Sequence, residues 1–223
     1  MILFDETHDE FLTITGEKKR RGMFFWRRFL KNFEIEPLTS KHDFLEKLRK
    51  CNVLILAEPH SYFRSLEILE LINFVKSGGN LILIGNHHNV KRYFAYGCNE
   101  VLNQLSTSFG VRFNYDEVYF QRENAVDRFK HEIFKGIEKI QYFRGCSLSV
   151  IKFGKRTLAK PVAFVRKGES EFYRRNSVVA CIFEDKGRIF AIGDSSVWAD
   201  PKDELYLKDN FELCKNVLNW MLR

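Results

Sequence analysis

Long hydrophobic runs and a basic leader segment are both missing from this sequence of 223 residues. Its strongest apolar runs, such as residues 53 to 57 and 81 to 84, are much shorter than the roughly 20 residues that a membrane-spanning helix needs. The N-terminus has no basic residues ahead of an apolar stretch, so no secretory signal is visible. We therefore expect a cytoplasmic protein without a membrane span.

Cysteine and proline are also sparse, and each scarcity excludes a class of architecture. The five cysteines are an odd number without a Cys-x-x-Cys pair, which argues against a disulfide framework and against a cysteine-rich zinc site. The four prolines form no Pro-rich linker, and the sequence contains no repeat or low-complexity stretch. Because 45% of the residues are hydrophobic, the chain can bury a core, and residues 1 to 223 are predicted to form a single domain.

The net charge of +7 is concentrated in two segments. Residues 17 to 31 hold seven Lys or Arg and one Glu, and residues 152 to 175 hold eight Lys or Arg and two Glu, so each carries +6 and the rest carries −5. A general basic surface is therefore not implied, and nucleic acid is not the favoured partner. Two solvated basic faces are the simplest interpretation. The alternative is that these segments contact an acidic partner, a phosphate or RNA. An acidic partner would bind the segment from Lys18 to Arg28.

The first half of the chain, residues 1 to 110, alternates between predicted strands and helices. Apolar runs predict strands at residues 1 to 5, 33 to 38, 52 to 57 and 81 to 84. The run at 52 to 57 shows little alternation, which is typical of a strand that is covered on both faces. Strands joined by helices through short connections indicate βαβ units and a doubly wound parallel sheet.

Three helices are predicted between these strands, and each has a boundary signal. Residues 23 to 32 have helical spacing, and residues 41 to 50 follow Ser40 as a candidate N-cap. A third helix begins near Ser61 as its N-cap, runs to about residue 76 and ends at Gly78-Gly79. Its core-facing side is predicted to be Leu66, Leu69, Ile72, Phe74 and Val75.

The second half, residues 111 to 223, is predicted to be a β-rich extension with a C-terminal helix. A helix at 98 to 109 precedes it, and strand-like runs occupy residues 111 to 120, 138 to 143, 147 to 152, 161 to 166, 177 to 184 and 187 to 192. The turn Asp185-Lys186-Gly187 suggests a tight hairpin between the last two runs. The chain closes with a helix at about 209 to 222, where Leu213, Val217 and Trp220 share one side.

Polar side chains follow the predicted parallel strands at the points where those strands end. Ligands of open parallel sheets bind beyond the carboxyl ends of the strands, so we expect these side chains to share one crevice. The candidate ligand-binding residues are Asp5, Glu6, His8, Glu58, His60, Asn86, His87, Asp194 and Ser195. Imidazoles and carboxylates together could hold a divalent metal, act as acid and base, or bind sugar hydroxyls.

Each of these residues also has a purely structural interpretation. Asp5, Glu58 and Asp194 can accept the backbone N–H groups of the turns that follow them, and Asn86 can cap a helix. His87 and His88 are adjacent, and adjacent side chains seldom reach one ion. We therefore expect no cofactor and no metal, with His8, His60, Asp5 and Glu58 as the candidate ligands if one is present.

Several catalytic signatures are missing at these strand ends. The turn from Gly85 to His88 lies where a strand-to-helix nucleophile elbow would belong, yet neither Cys nor Ser occupies its tip. The sequence has no Gly-x-Gly-x-x-Gly motif and no Gly-Lys-Ser/Thr phosphate loop. Nucleotide-dependent chemistry is therefore unsupported, and a non-catalytic role is favoured.

The same segments resemble a known family. They are Asp5-Glu6-Thr7-His8 after an opening strand, Val53 to Ala57 before a Pro and a long helix, Gly78 to Gly85, and Ile189 to Ser196 followed by the closing helix. Together they are similar to the amidotransferase-like domain shared by intraflagellar-transport proteins, gliding-motility ABC-transporter proteins and prokaryotic relatives. The resemblance implies a flavodoxin-like, class I glutamine amidotransferase-like parallel-sheet sandwich in a prokaryotic protein.

The resemblance also bears on function. True amidotransferases carry a cysteine in Gly-x-Cys-x-Gly after the fourth strand, whereas this chain has His87 in that region, so glutamine hydrolysis is not expected. The expected role is a non-catalytic ligand-binding domain, with carbohydrate as one candidate ligand, or an assembly domain with a protein partner. A hydrolase whose metal is held by His8, His60 and Asp5 or Glu58 is the first alternative. Nucleic-acid binding through the basic segments is the second.

Overall fold

The structure is a computed structural model that describes residues 1–15, 32–87, 97–119, 127–128, 130–138, 140, 142, 144–165, 177–198 and 208–223. Several sequence predictions lie outside these residues. They are the helix at 23 to 32, the basic segment from Lys18 to Arg28, the part of the second basic segment beyond residue 165, and His88.

The described residues form fourteen strands, four α-helices and three short 3-10 helices. The strands are β1 (Ile2–Asp5), β2 (Ile35–Leu38), β3 (Val53–Ala57), β4 (Asn80–Ile84), β5 (Val111–Phe113), β6 (Val118–Tyr119), β7 (Asp127–Arg128), β8 (Arg144–Gly145), β9 (Leu148–Val150), β10 (Lys152–Phe153), β11 (Arg156–Thr157), β12 (Ala159–Val165), β13 (Ser177–Glu184) and β14 (Arg188–Ile192). The helices are α1 (Phe44–Leu48), α2 (Ser65–Lys76), α3 (Cys98–Ser106) and α4 (Lys208–Met221).

Five strands form the parallel part of the main sheet, in the order β2-β1-β3-β4-β14. Strands β1, β3 and β4 are buried along their whole length, because their unbroken apolar runs can face a hydrophobic layer on both sides. Alternate residues point to opposite faces, so Ile55 and Ile82 pack with α4, while Leu54 and Leu83 pack with α1, α2 and α3. This confirms the predicted α/β class.

The main sheet is mixed, so the parallel-sheet sandwich that the resemblance implied describes only its part from β2 to β14. Beyond β14 the order continues β13-β12-β7, and each of these pairs is antiparallel. The turn predicted at Asp185-Lys186-Gly187 accounts for the first of these pairs, because the Asp185 N–H donates to the Gly187 carbonyl and the chain reverses between β13 and β14. A tight turn of this kind can join only antiparallel neighbours. Strand β9 also pairs with β13 and with β5.

Other predicted strands are shorter than the sequence suggested. The run at 111 to 120 divides into β5 and β6, which pair with different partners, β9 and β8. Residues 138, 140 and 142, the described part of the run predicted at 138 to 143, are not in a strand. The C-terminal helix agrees with its prediction, and Leu213, Val217 and Trp220 are all buried.

Two helix starts were predicted wrongly. Helix α1 begins at Phe44 and its N-cap is Asp43, so Ser40 does not cap it. Helix α2 begins at Ser65 with Arg64 as its N-cap, three residues later than predicted, because residues 61 to 64 are not helical. The Ser61 hydroxyl donates to Asp9 instead of capping a helix.

The predicted buried face of α2 is also wrong in part. Leu66 and Leu69 are exposed, whereas Leu71, Val75 and the charged Glu67 are buried. The helix ends at Lys76, as predicted, and two residues later Gly78 has a φ of 109°, in the left-handed region that favours glycine. Within the described residues, no helix combines the length and the apolar character that crossing a membrane would require.

Candidate functional site

The loops that follow β1, β3, β4 and β14 meet at one edge of the sheet, as the sequence predicted. The backbone N–H groups of His60 and Ser61 donate to the carbonyl of His8, at 2.8 and 2.9 Å. The Glu58 N–H donates to the Ile84 carbonyl at 2.8 Å, and the Glu58 carbonyl accepts from Phe11 at 3.1 Å. These bonds fix the relative positions of the first three loops, and the polar side chains there divide into two groups.

The first group, the His8 cluster, consists of Asp5, Thr7, His8, Glu10 and Glu67, all of them buried. His8 Nδ1 lies 2.7 Å from Asp5 Oδ2, and His8 Nε2 lies 3.4 Å from Glu67 Oε2. The Thr7 hydroxyl donates to Asp5 Oδ1 at 2.8 Å. Because a carboxylate lies beside each ring nitrogen, His8 connects the β1 loop to helix α2. The His8 ring also packs against Phe63, with a distance of 4.2 Å between the ring centroids.

Glu67 connects this cluster to the surface. Burial alone would raise the pKa of Glu67, but bonds from the side chain and backbone N–H of Arg64, together with the charge of His8, lower it overall. The Arg64 guanidinium donates to Glu67 Oε1 at 2.7 Å, and the Arg64 N–H donates to Glu67 Oε2 at 2.7 Å. Glu67 therefore helps to start helix α2 and is also a partner of His8.

Glu10 differs from the other two carboxyl groups of the His8 cluster. Its Oε2 accepts the His8 N–H at 2.9 Å, while its Oε1 is buried and has no hydrogen-bond partner within the described residues. Burial, and then the charge of the neighbouring Asp5, raise the pKa of Glu10 well above its ordinary value. The folded state therefore favours the protonated form of Glu10.

This shift predicts a pH dependence of stability. Because the folded pKa is raised, the folded state binds a proton that the unfolded chain releases near its ordinary pKa of 4.5, so stability falls as pH rises from there towards the folded pKa. The loss approaches about 1.4 kcal/mol per pH unit in that window. In Glu10→Gln, the free energy of unfolding measured with urea should change less with pH across this window. The exposed Glu36→Gln should not, and equal curves for all three proteins would contradict the assignment.

The second group, the Glu58 cluster, consists of Glu58, His60, Asn86, Cys98 and Ser195, again all buried. The Asn86 Nδ2 donates to Glu58 Oε1 at 2.9 Å and to Ser195 Oγ at 3.0 Å, and so connects the ends of β3, β4 and β14. The other Glu58 oxygen, Oε2, is buried without a hydrogen-bond partner among the described residues. One ligand atom each of Glu58, His60 and Cys98 lie within 4.8 Å of one another.

Glu58 is unusual in both its side chain and its backbone. Burial raises the pKa of Glu58 to about 7, although the Ser195 hydroxyl and the Asn86 amide act in the opposite direction and the charge of Asp194 adds to the rise. Its φ of 52° is in the left-handed region, which residues other than glycine seldom adopt. Such strain is concentrated at functional sites, where the surrounding structure holds it in place.

The remaining predicted residues, Glu6, His87 and Asp194, lie at the same edge, and each makes a hydrogen bond that involves a backbone N–H group. Glu6 Oε1 accepts the N–H groups of Ile14 and Thr15, at 2.6 and 3.0 Å, and is outside both clusters. Asp194 accepts the N–H groups of Ser196 and Arg144, at 2.8 and 3.1 Å, as a turn-forming residue would. The His87 N–H donates to Asn86 Oδ1 at 2.7 Å. His8 and His60, paired in the predicted metal site, lie in different groups of potential metal ligands.

The sequence analysis missed Cys98, Asn99, Glu10 and Glu67. Cys98 is the first residue of α3, and Asn99 beside it donates to the Asn86 carbonyl at 2.8 Å. Glu67 is likewise in the first turn of α2. In a parallel α/β unit the helix that follows a strand begins at the strand's carboxyl end, so a search that included helix starts could have found Cys98 and Glu67.

The cysteines do not have the properties of nucleophiles. All five are free and buried. Burial raises the pKa of the Cys98 thiol well above its ordinary value, and the charges of Glu58 and Cys146 raise it further. The pKa of the Cys146 thiol is raised in the same way, first by burial and then by Asp116. A reactive cysteine needs a lowered pKa, so this environment disfavours thiolate chemistry.

A cavity of about 420 Å³ lies at the opposite edge of the sheet. Asn52, Asn73, Ser77 and Gly78 are among its lining residues, so it lies near the amino ends of β3 and β4. The candidate residues at the carboxyl edge do not line it. The two edges therefore offer different sites, an open cavity at one and closely packed, buried polar groups at the other.

The fold was compared with known proteins. No protein-family model matches the sequence, and no curated protein matches it. The mmIFT52 N-terminal domain matches over 100% of this chain and 98% of its own, with a TM-score of 0.72 and 20% identity. A cytoplasmic protein from Salmonella typhimurium LT2 matches over 99% and 98%, with a TM-score of 0.64 and 14% identity. A ThuA-like protein from Bacteroides uniformis matches over 99% of this chain and 89% of its own, with a TM-score of 0.58 and 14% identity.

These matches concern the fold. At 20% identity or less they carry no site residues to this chain, but they extend over almost its whole length. They fit the predicted class I glutamine amidotransferase-like fold and the resemblance to intraflagellar-transport domains. The chain thus shares a fold with these proteins, and its function must be inferred from its own residues.

Proposed function

We propose that this protein is a non-catalytic domain that binds a small polar ligand at the carboxyl edge of its parallel strands, in the cytoplasm. The main support is the Glu58 cluster, in which a buried carboxylate oxygen lacks a hydrogen-bond partner among the described residues. Native proteins pair nearly all buried polar atoms, so such an atom needs an explanation, and ligand binding is one. The raised pKa of the Cys98 thiol supports a role without a cysteine nucleophile.

The buried state of the cluster limits the size of the ligand. Glu58 and Ser195 are fully buried and Asn86 is 7% exposed, so a compact ligand fits this edge better than a large one. The hydroxyl, amide and carboxylate groups there can donate and accept hydrogen bonds, as monosaccharides and small organic acids require. Carbohydrate therefore remains within the proposal as one class of candidate.

A thermal-shift screen tests the proposal, using monosaccharides, nucleoside monophosphates, dicarboxylates and divalent cations. A ligand present at about 100 times its Kd should stabilise the fold by about 2.7 kcal/mol, and so raise the Tm by roughly 5 to 10 °C. For a hit bound by these side chains, Asn86→Ala or Ser195→Ala should weaken binding about tenfold, because each removes a buried hydrogen-bonding group.

The opposite edge supplies a matched control. Asn73→Ala also removes an asparagine side chain, but from the lining of the 420 Å³ cavity. It should leave unchanged the Kd of a ligand that binds at Asn86 and Ser195. A hit that survives Asn86→Ala but is lost in Asn73→Ala would place the ligand in that cavity and overturn the proposal. A screen without any hit would also contradict it.

A further inference from the structure

The ligand atoms of Glu58, His60 and Cys98 form a compact group of mixed chemistry. They come from the end of β3 and the start of α3, and they lie within 4.8 Å of one another. All three residues are buried, none more than 2% exposed. Carboxylate oxygen, imidazole nitrogen and thiol sulfur are the three donor types that zinc uses in proteins, whereas Mg²⁺ and Ca²⁺ prefer oxygen alone.

We propose that Glu58, His60 and Cys98 bind one divalent transition-metal cation such as Zn²⁺. The inference rests on the proposed function and names the ligand of that site. Its independent support is Glu58 Oε2, a buried oxygen without a hydrogen-bond partner in the described part of the chain, in a residue whose other oxygen is bonded to Asn86. A cation would supply the partner that this oxygen lacks.

The geometry requires only a small adjustment. Zinc bonds of about 2.0 to 2.3 Å place neighbouring ligand atoms about 3.3 to 3.8 Å apart in a tetrahedron. The present group extends to at most 4.8 Å, so side-chain movements on the order of 1 Å would complete it. Three protein ligands leave the fourth position for water or another small molecule.

The other group with metal-ligand spacing, Asp5, His8 and Glu10, fits a cation less well. His8 Nδ1 already lies 2.7 Å from Asp5 Oδ2, and Glu10 Oε2 accepts the His8 N–H at 2.9 Å. Glu10 Oε1 is also buried without a hydrogen-bond partner among the described residues, but a cation in this group would have to break the bond between Asp5 and His8. In the Glu58 group, Glu58 Oε1 accepts from Asn86 and the Cys98 thiol donates to Asn99 Oδ1, which leaves the buried Glu58 Oε2 for a cation.

Direct binding to the full chain tests the inference. Tag-free protein is stripped with a chelator, and Zn²⁺ is titrated against a competing chromophoric chelator. We expect one equivalent to bind, and Co²⁺ in its place should give a sulfur-to-metal charge-transfer band. Cys98→Ser should abolish that band. Cys98→Ser and Glu58→Gln should each weaken Zn²⁺ binding at least about 100-fold, since loss of a direct ligand exceeds the usual 10-fold to 100-fold effect of an outer partner.

Cys146→Ser is the matched control, because Cys146 is another fully buried cysteine and is outside the group. It should retain both the cobalt band and the affinity of the parent protein. Urea unfolding of each metal-free variant shows that it folds, so that a loss of binding is not a loss of structure. Failure of the parent to bind Zn²⁺, or equal binding by the parent and Cys98→Ser, would overturn the inference.

The two proposals can fail separately. If Zn²⁺ does not bind but an organic hit from the screen is lost in Asn86→Ala, the cation inference is wrong and the proposed function stands. If Zn²⁺ binds through Cys98 and no organic hit appears, the ion itself is the ligand of the site. If neither binds, both proposals are wrong.

Discussion

Replacement of His8 by alanine should lower the free energy of unfolding by about 4 kcal/mol, one of the two largest effects we expect from a single substitution. His8 is fully buried, with Asp5 Oδ2 2.7 Å from one ring nitrogen and Glu67 Oε2 3.4 Å from the other. Alanine removes the imidazole and leaves those oxygens buried. Each buried oxygen that loses its partner costs about 1 to 3 kcal/mol, and more where the group is charged.

Packing adds to this electrostatic loss. The His8 ring contacts Phe63 and Phe44, with centroid distances of 4.2 and 5.4 Å, so alanine also leaves a cavity between β1 and helices α1 and α2. Asp5 keeps its bonds from Thr7, and Glu67 keeps those from Arg64, which limits the damage. The variant should therefore fold, with reduced stability.

Urea unfolding at neutral pH measures this effect as a shift of the midpoint at unchanged slope. His42→Ala is the control, because His42 is exposed and its loss should change stability by no more than about 0.5 kcal/mol. If His8→Ala were as stable as His42→Ala, the contacts of His8 with Asp5 and Glu67 would contribute nothing to the fold.

The parallel half of the fold was predictable because its signals are local. Runs such as Val53 to Ala57 are apolar without alternation, and only a strand covered on both faces readily accommodates such a run. Once the strands are parallel, their carboxyl ends meet at one edge, and this rule alone brought Glu58, Asn86 and Ser195 together. No knowledge of the side-chain contacts was needed for that step.

Other features depend on distant contacts and could not be read from local patterns. Leu66 and Leu69 have helical spacing, yet α2 turns the buried Glu67 inward, because Glu67 pairs with His8, 59 residues earlier in the chain. The antiparallel pairing of β13 with β14 follows from one turn, and the sequence predicted that turn without showing that β14 would also pair with β4. Cys98 was missed because it lies at a helix start, not at a strand end.

Gly193 shows how closely the backbone packs behind the Glu58 cluster. A Cβ at this position would lie 2.1 Å from the Cys146 carbonyl oxygen and 2.5 Å from the Tyr142 hydroxyl. The backbone there is fixed, because the Gly193 carbonyl accepts from the Cys146 N–H at 2.9 Å and the Gly193 N–H donates to Val179 at 3.1 Å. An added methyl group can therefore be accommodated only if the segment that carries Asp194 and Ser195 moves.

Gly193→Ala should accordingly destabilise the protein by about 3 kcal/mol or more, in the upper range for overpacking, and should displace Ser195 from Asn86. Gly154→Ala is the control, because its Cβ would meet nothing within 4 Å and only its φ of 63° opposes a side chain. That conformational cost is about 1 kcal/mol. Urea unfolding separates the two effects, and a Gly193→Ala variant no less stable than Gly154→Ala would show that the β14 end can move. In that case the position of Ser195 would not depend on this close backbone contact.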